Sequence, residues 1–120
     1  VEGGRLEPAA GGGHILSQVA GIVAERAEQR PEGSYTTYLL EKGLDKILKK
    51  VGEESTEVVI AAKNADRGEL RAELADLFFH LLVLIQQREL PIEEVWGELD
   101  ARFGAPSRIP PARPTDHPHS

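Results

Sequence analysis

Cysteine and methionine are absent from this 120-residue chain, and aromatic residues are few: one Trp, two Tyr and three Phe. Without Cys there are no disulfides, no thiolate nucleophile and no Cys-based metal site, and the composition suits a reducing compartment. Long apolar runs are missing too. The longest, Leu77 to Ile85, is interrupted by His80 and falls well short of the roughly 20 residues that span a bilayer. The first residues carry neither the basic nor the apolar region of a signal peptide, so a cytoplasmic protein without a membrane partner is expected. Positive charge is in deficit: 14 Lys and Arg face 20 Asp and Glu, for a formal net charge of −6. Surfaces that lie along nucleic acid are basic, so no nucleic-acid partner is expected. A phosphate-bearing small molecule stays compatible, because a bound cation can supply positive charge locally.

Residues 1–13 hold five Gly and one Pro with no periodicity, and read as a flexible leader. Residues 104–120 hold five Pro and read as a disordered tail. The folded part is then 14–103, and within it four segments follow helical spacing. The first places Ile15, Val19, Ile22 and Val23 on one face and stops before Pro31-Glu32-Gly33. The second is expected to run unbroken from Thr37 to Asn64, about 40 Å long at 1.5 Å per residue. Its stripe is Leu40, Leu44, Ile47, Val51, Val58 and Ala62. The third starts with Asp66 as cap and Glu69 three residues on, as in a capping box. It continues to Arg88 with Leu70, Leu74, Leu77, Leu81 and Leu84 in line, and its apolar character nearly all round predicts a central helix. The fourth opens on Pro91 at the first helical position, with Glu93 and Glu94 in its first turn and a stripe of Ile92, Val95, Trp96, Leu99 and Phe103. No segment alternates as a strand does. The expected fold is an all-α, four-helix bundle, completed by dimerisation because so few residues surround so apolar a third helix.

What the charged residues do is set by their places on these helices. Glu53, Glu54 and Glu57 lie on the second helix, Glu73 and Asp76 on the third. Residues three or four apart share a helix face, so each helix offers a carboxylate pair. If the two helices pack antiparallel, four carboxylates converge on one point, a donor set that suits a hard cation such as Mg²⁺. One Glu-x-x-Glu pair on a solvated face means little by itself. Here both pairs border apolar stripes, where a carboxylate must be paired or metal-bound to be tolerated.

Lys46 and Lys50 share a face with these acids, and Lys42 and Lys49 lie near it. Lys stands N-terminal to Glu, the weaker order for helix salt bridges, so helix stabilisation accounts poorly for the arrangement. Two readings stay open: cations beside a metal site that clamp the outer phosphates of a nucleotide, and four solvated Lys on an exposed face. His80 continues the edge of Glu73, but a single His among apolar residues is more often a hydrogen-bonded structural group. Carboxylate-bridged di-iron bundles need Glu-x-x-His twice, and Leu77 stands three residues before His80.

The run Gly33-Ser-Tyr-Thr-Thr-Tyr-Leu-Leu-Glu-Lys-Gly-Leu-Asp-Lys-Ile-Leu-Lys-Lys, continuing through Glu53-Glu54-Ser-Thr-Glu57, and the later Glu73-Leu-Ala-Asp76 closely resemble the phosphoribosyl-ATP pyrophosphatases. These are all-α nucleotide pyrophosphatases of the MazG-like type. Glu-Glu-x-x-Glu followed by Glu-x-x-Asp marks the superfamily, and the Gly-Ser-Tyr-Thr and Lys-rich segments make the narrower assignment. The resemblance spans about Arg30 to Phe103.

It implies a cytoplasmic, Mg²⁺-dependent, dimeric hydrolase of histidine biosynthesis. This would convert phosphoribosyl-ATP and water to phosphoribosyl-AMP and pyrophosphate by attack at the α-phosphate. On that resemblance Glu54, Glu57, Glu73 and Asp76 are the expected metal ligands, and Glu53 adds a ligand or orients the attacking water. Lys46, Lys49 and Lys50 would hold the triphosphate, and Ser34, Tyr35 and Thr36 would meet the substrate. Two rivals stay open: a related enzyme acting on other nucleoside triphosphates, and a non-catalytic helical dimerisation module.

Overall fold

The computed structural model describes residues 12–104, with side chains from 14 onward. The leader, apart from its last two residues, and the Pro-rich tail beyond Gly104 lie outside the described residues. The chain divides into two compact units, Val1–Leu90 and Pro91–Ser120. The first holds α1 (Gly12–Gln29), α2 (Tyr35–Lys42), α3 (Leu44–Lys63) and α4 (Arg67–Gln87); the second holds α5 (Ile92–Phe103). The all-α expectation holds, and no helix of the described residues is long and apolar enough to cross a membrane.

Among the described residues there are five helices where four were expected, because the long second helix is two. Gly43 has φ 100° and ψ −178°, a conformation open to glycine and strained for residues with a Cβ. Its N–H donates to the Leu39 carbonyl at 3.0 Å and closes α2, while its carbonyl accepts from Ile47 N–H at 3.2 Å and opens α3. The 3.6-residue period runs through this joint unaltered, so periodicity alone does not reveal it. α2 also begins earlier than expected, at Tyr35, because Ser34 caps it by accepting from Thr37 N–H at 3.2 Å.

The core of the first unit is built from Val23 of α1, Leu39 and Leu40 of α2, Ile47 of α3, and Phe79 and Val83 of α4. Val19, Ala27, Tyr35 and Leu84 pack around it. α4 contacts α1, α2 and α3, as a central helix should. Its buried residues are Phe79, His80, Leu82 and Val83, whereas Phe78 and Leu81 face outward. The buried face is therefore rotated from the expected leucine line. On α3 the buried residues are Ile47, Glu54 and Ala61, spaced by seven, with Val51 and Val58 half-buried beside them and Ala62 exposed. Glu54 thus occupies the middle of the buried seam instead of its border.

A three-residue connection, Asn64 to Asp66, turns α3 back into α4 as an antiparallel hairpin. Asp66 caps α4 as expected, its Oδ1 accepting from Glu69 N–H at 3.0 Å. The reciprocal half of the expected capping box is replaced by a bond from Asp66 N–H to the Ala61 carbonyl at 3.4 Å. In the second unit, Pro91 sits one residue before the first helical position. No residue of α5 is buried.

Two glycine substitutions separate conformation from space. A Cβ at Gly43 or at Gly52 meets nothing within 4 Å. Gly43→Ala must nevertheless lose about 1–3 kcal/mol of stability, since its backbone conformation is strained for alanine. Gly52→Ala, mid-helix in α3, gains up to about 1 kcal/mol. Denaturant melts of the two variants should therefore move in opposite directions.

Candidate active site

The antiparallel α3–α4 hairpin does what the two acidic motifs require. Carboxylate oxygens of Glu54 from α3 and of Glu73 and Asp76 from α4 all lie within 4.8 Å of one another. Glu54 is only 9 % exposed; Glu73 and Asp76 are half-buried. Partial loss of solvent, hydrogen bonds with Glu54 and Glu69, and the negative charges of Glu57 and Glu54 push the Glu73 carboxyl up to about 7. A carboxylate with like charges at this range ionises less readily, which is the direction seen at Glu73. Glu57 acts on Glu73 through its charge from an exposed position one turn along α3, outside the closest group of three.

Lys50 bridges the acids of its own helix. Its Nζ lies 3.5 Å from Glu53 Oε1 and 3.5 Å from Glu54 Oε2. Desolvation works to lower the Lys50 pKa, but Tyr35, Glu54 and Glu53 outweigh it and raise the value. Glu53 stands at the solvent edge, tied to Lys50. Lys46 is half-buried, its Nζ 5.9 Å from the centre of the Tyr38 ring, and Lys42 approaches the same ring at 5.8 Å. Lys49 is exposed on α3.

The three residues expected to meet substrate at the start of α2 part company. Tyr35 reaches the imidazole one turn beyond Asp76: its hydroxyl lies 3.0 Å from His80 Nε2. Burial raises its pKa, Lys50 opposes the rise, and the charges of Glu54, Tyr38 and Asp76 add to it. Ser34 serves as the α2 cap. Thr36 is a correction: it is 0 % exposed, so its side chain cannot touch a ligand arriving from solvent.

Glu69 and Tyr38 were not anticipated near the site, and His80, which spacing placed on the edge of Glu73, has a partner there that spacing did not show. Glu69 joins the cluster through Glu73. Tyr38 is 42 % exposed and stacks on Tyr35 at 6.0 Å, under both Lys42 and Lys46. His80 holds Tyr35. The signal for His80 was present, since it stands four residues after Asp76 on one helix face.

A family model described as phosphoribosyl-ATP pyrophosphohydrolase matches residues 16–103. The chain belongs to that family. Among relatives that carry phosphoribosyl-ATP pyrophosphatase as their name, the protein of Streptococcus sanguinis is 56 % identical over 93 residues, covering 78 % of this chain and 89 % of the relative. That of Listeria innocua is 54 % identical over 94 residues, 78 % of this chain and 90 % of the relative. The histidine biosynthesis bifunctional protein HisIE of Halalkalibacterium halodurans is 59 % identical over 88 residues, 73 % of this chain. The chain spans only 42 % of the length of that bifunctional relative. Every member of the acidic cluster lies inside the region the family model covers.

The raised Glu73 carboxyl gives the metal-free protein a pH signature. Glu73 binds its proton more tightly when folded, about 7 against an ordinary 4.5. The folded state therefore holds more protons than the unfolded state between those values. The associated stability is fully present below the ordinary value and is lost as pH rises through the raised one. Thermal melts in EDTA should show this loss in the parent chain and a flatter profile for Glu73→Gln over the same window. Parallel profiles would remove Glu73 from the cluster.

Proposed function

We propose that this chain hydrolyses phosphoribosyl-ATP to phosphoribosyl-AMP and pyrophosphate, a step of histidine biosynthesis, by Mg²⁺-assisted attack of water at the α-phosphate. The observation that carries the reading is the meeting of Glu54, Glu73 and Asp76 within 4.8 Å, in a chain of this family. A buried carboxylate beside two others is a donor set of hard oxygens, which fits Mg²⁺. Glu54, Glu73 and Asp76 would hold the ion, with Glu57 completing the set from the next turn. When bound, Mg²⁺ neutralises phosphate charge and acidifies water in its shell.

The protein's own groups do the rest. Glu53, exposed and tied to Lys50, orients water at the solvent edge. Lys50 and Lys46 supply positive charge on the α2 side of the acids, where the triphosphate would lie, and Lys49 extends that charge outward. Tyr35 meets the substrate from the start of α2. Ser34 and Thr36 contribute by capping and packing this turn.

The proposed setting is the cytoplasm and the proposed state a homodimer. Leu48, Val59 and Ile60 of α3 and Phe78 and Leu81 of α4 are large apolar residues left exposed, and a second copy of the chain would cover them. Sedimentation should give a dimer mass; a monomer at micromolar concentration would remove this part of the reading.

Incubation of the chain with phosphoribosyl-ATP and Mg²⁺ should release pyrophosphate and not orthophosphate. Equal turnover of simple nucleoside triphosphates would point instead to the related activity on other nucleoside triphosphates. Glu54→Gln keeps size and removes charge. Its kcat/KM should fall by at least about 100-fold, more than the loss of an outer-shell partner costs, while helicity is retained. Melting temperature should rise with Mg²⁺ concentration in the parent chain; no rise would favour a non-catalytic module.

A further inference from the structure

His80 is 4 % exposed and touches no carboxylate oxygen in the hydrogen bonds described for it. Its Nδ1 lies 2.7 Å from the backbone carbonyl of Asp76, one turn earlier on α4. A carbonyl oxygen only accepts, so Nδ1 carries the hydrogen. In the neutral ring Nε2 is then an acceptor, and the Tyr35 hydroxyl 3.0 Å away donates to it. The ring plane is held from two sides, edge-on to Tyr35 at 5.7 Å and to Phe79 at 5.2 Å between centroids. The Tyr35 ring in turn stacks with Phe79 and with Tyr38, each 6.0 Å away.

Two consequences follow. The turn of α4 that presents Asp76 and the first residue of α2 are tied together by one imidazole. The only hydrogen on the Tyr35 oxygen is also committed inward, so toward the acidic cluster that oxygen can only accept.

We propose that His80 is a positioning residue for the pyrophosphatase reaction: it fixes the Tyr35 hydroxyl as an acceptor beside the carboxylate cluster, so that Tyr35 recognises a hydroxyl or N–H group of the nucleotide and not a phosphate oxygen. This rests on the reading of the cluster as the active site. It gives Tyr35 a chemically specific partner class and gives His80 a role beyond packing.

The test uses Tyr35→Phe, His80→Asn and the double variant. Phenylalanine keeps the stacking and removes only the hydroxyl. Asparagine keeps an N–H that can reach the Asp76 carbonyl and removes the Nε2 acceptor. Each single variant should raise KM for phosphoribosyl-ATP about tenfold, the order expected for one lost hydrogen bond, with kcat little changed. The double variant should be no worse than either single one, because both remove the same contact.

His80→Gln, whose longer side chain can place an oxygen near the lost Nε2, should recover part of the loss. A long-range ¹H–¹⁵N spectrum of the parent chain should show His80 with hydrogen on Nδ1 alone, and Tyr35→Phe should shift the Nε2 resonance. Additive losses, unchanged KM in folded variants, or an Nε2–H ring would overturn the proposal. Absence of pyrophosphate release by the parent chain would instead overturn the functional reading, and the spectrum would still decide whether His80 orients Tyr35. If His80→Asn does not fold, Tyr35→Phe and the spectrum decide.

Discussion

Three carboxylates gathered within 4.8 Å repel one another, and the rest of this molecule is organised around tolerating that repulsion. Glu54 stands in the buried seam of α3 between Ile47 and Ala61, where a leucine would be the unremarkable choice. An isolated carboxylate there would be costly. Lys50 on the same helix relieves part of the cost, and the upward shift of Glu73 relieves more by keeping a proton in the group. Neither separates the three carboxylates, which stay within 4.8 Å of one another.

Much of this was legible before any coordinates. The pairing of Glu54 with Glu73 and Asp76 follows from helical spacing plus a short connection, and both hold. Asp66 caps α4, and α4 is the helix every other helix of the first unit touches. What spacing could not show is where a regular pattern is interrupted without changing phase. Gly43 breaks a helix whose hydrophobic period continues on both sides, and only its positive φ betrays the joint. The phase of a nearly all-apolar helix is equally hidden: the leucine line of α4 looked like the core face, but Phe79 and Val83 hold that place while Leu81 is turned outward. Thr36 illustrates the limit of reading a motif by adjacency, since it neighbours Tyr35 in sequence yet is fully buried.

The acidic net charge of the chain also conceals a local reversal. Along one side of the α2–α3 joint, Lys42 and Lys46 sit over the Tyr38 ring while Lys50 reaches Glu53 and Glu54. The cations are thus arranged in a row leading to the acids. A polyanion approaching an overall negative protein meets positive charge first along this row. The aromatic ring beneath the outer two keeps their stems close to the surface instead of trailing in solvent.

Everything from Tyr35 to His80 that the site uses is contained in three consecutive helices, with the joint at Gly43 and the turn at Asn64–Asp66 as the only interruptions. A centre assembled from neighbouring stretches of chain is portable. Additional sequence can be attached without having to be threaded through it. Such a layout suits a chain whose relatives include proteins that it nearly spans and longer ones that it covers in part. The compactness of the hairpin along the sequence suits a unit able to stand alone or to serve as a module.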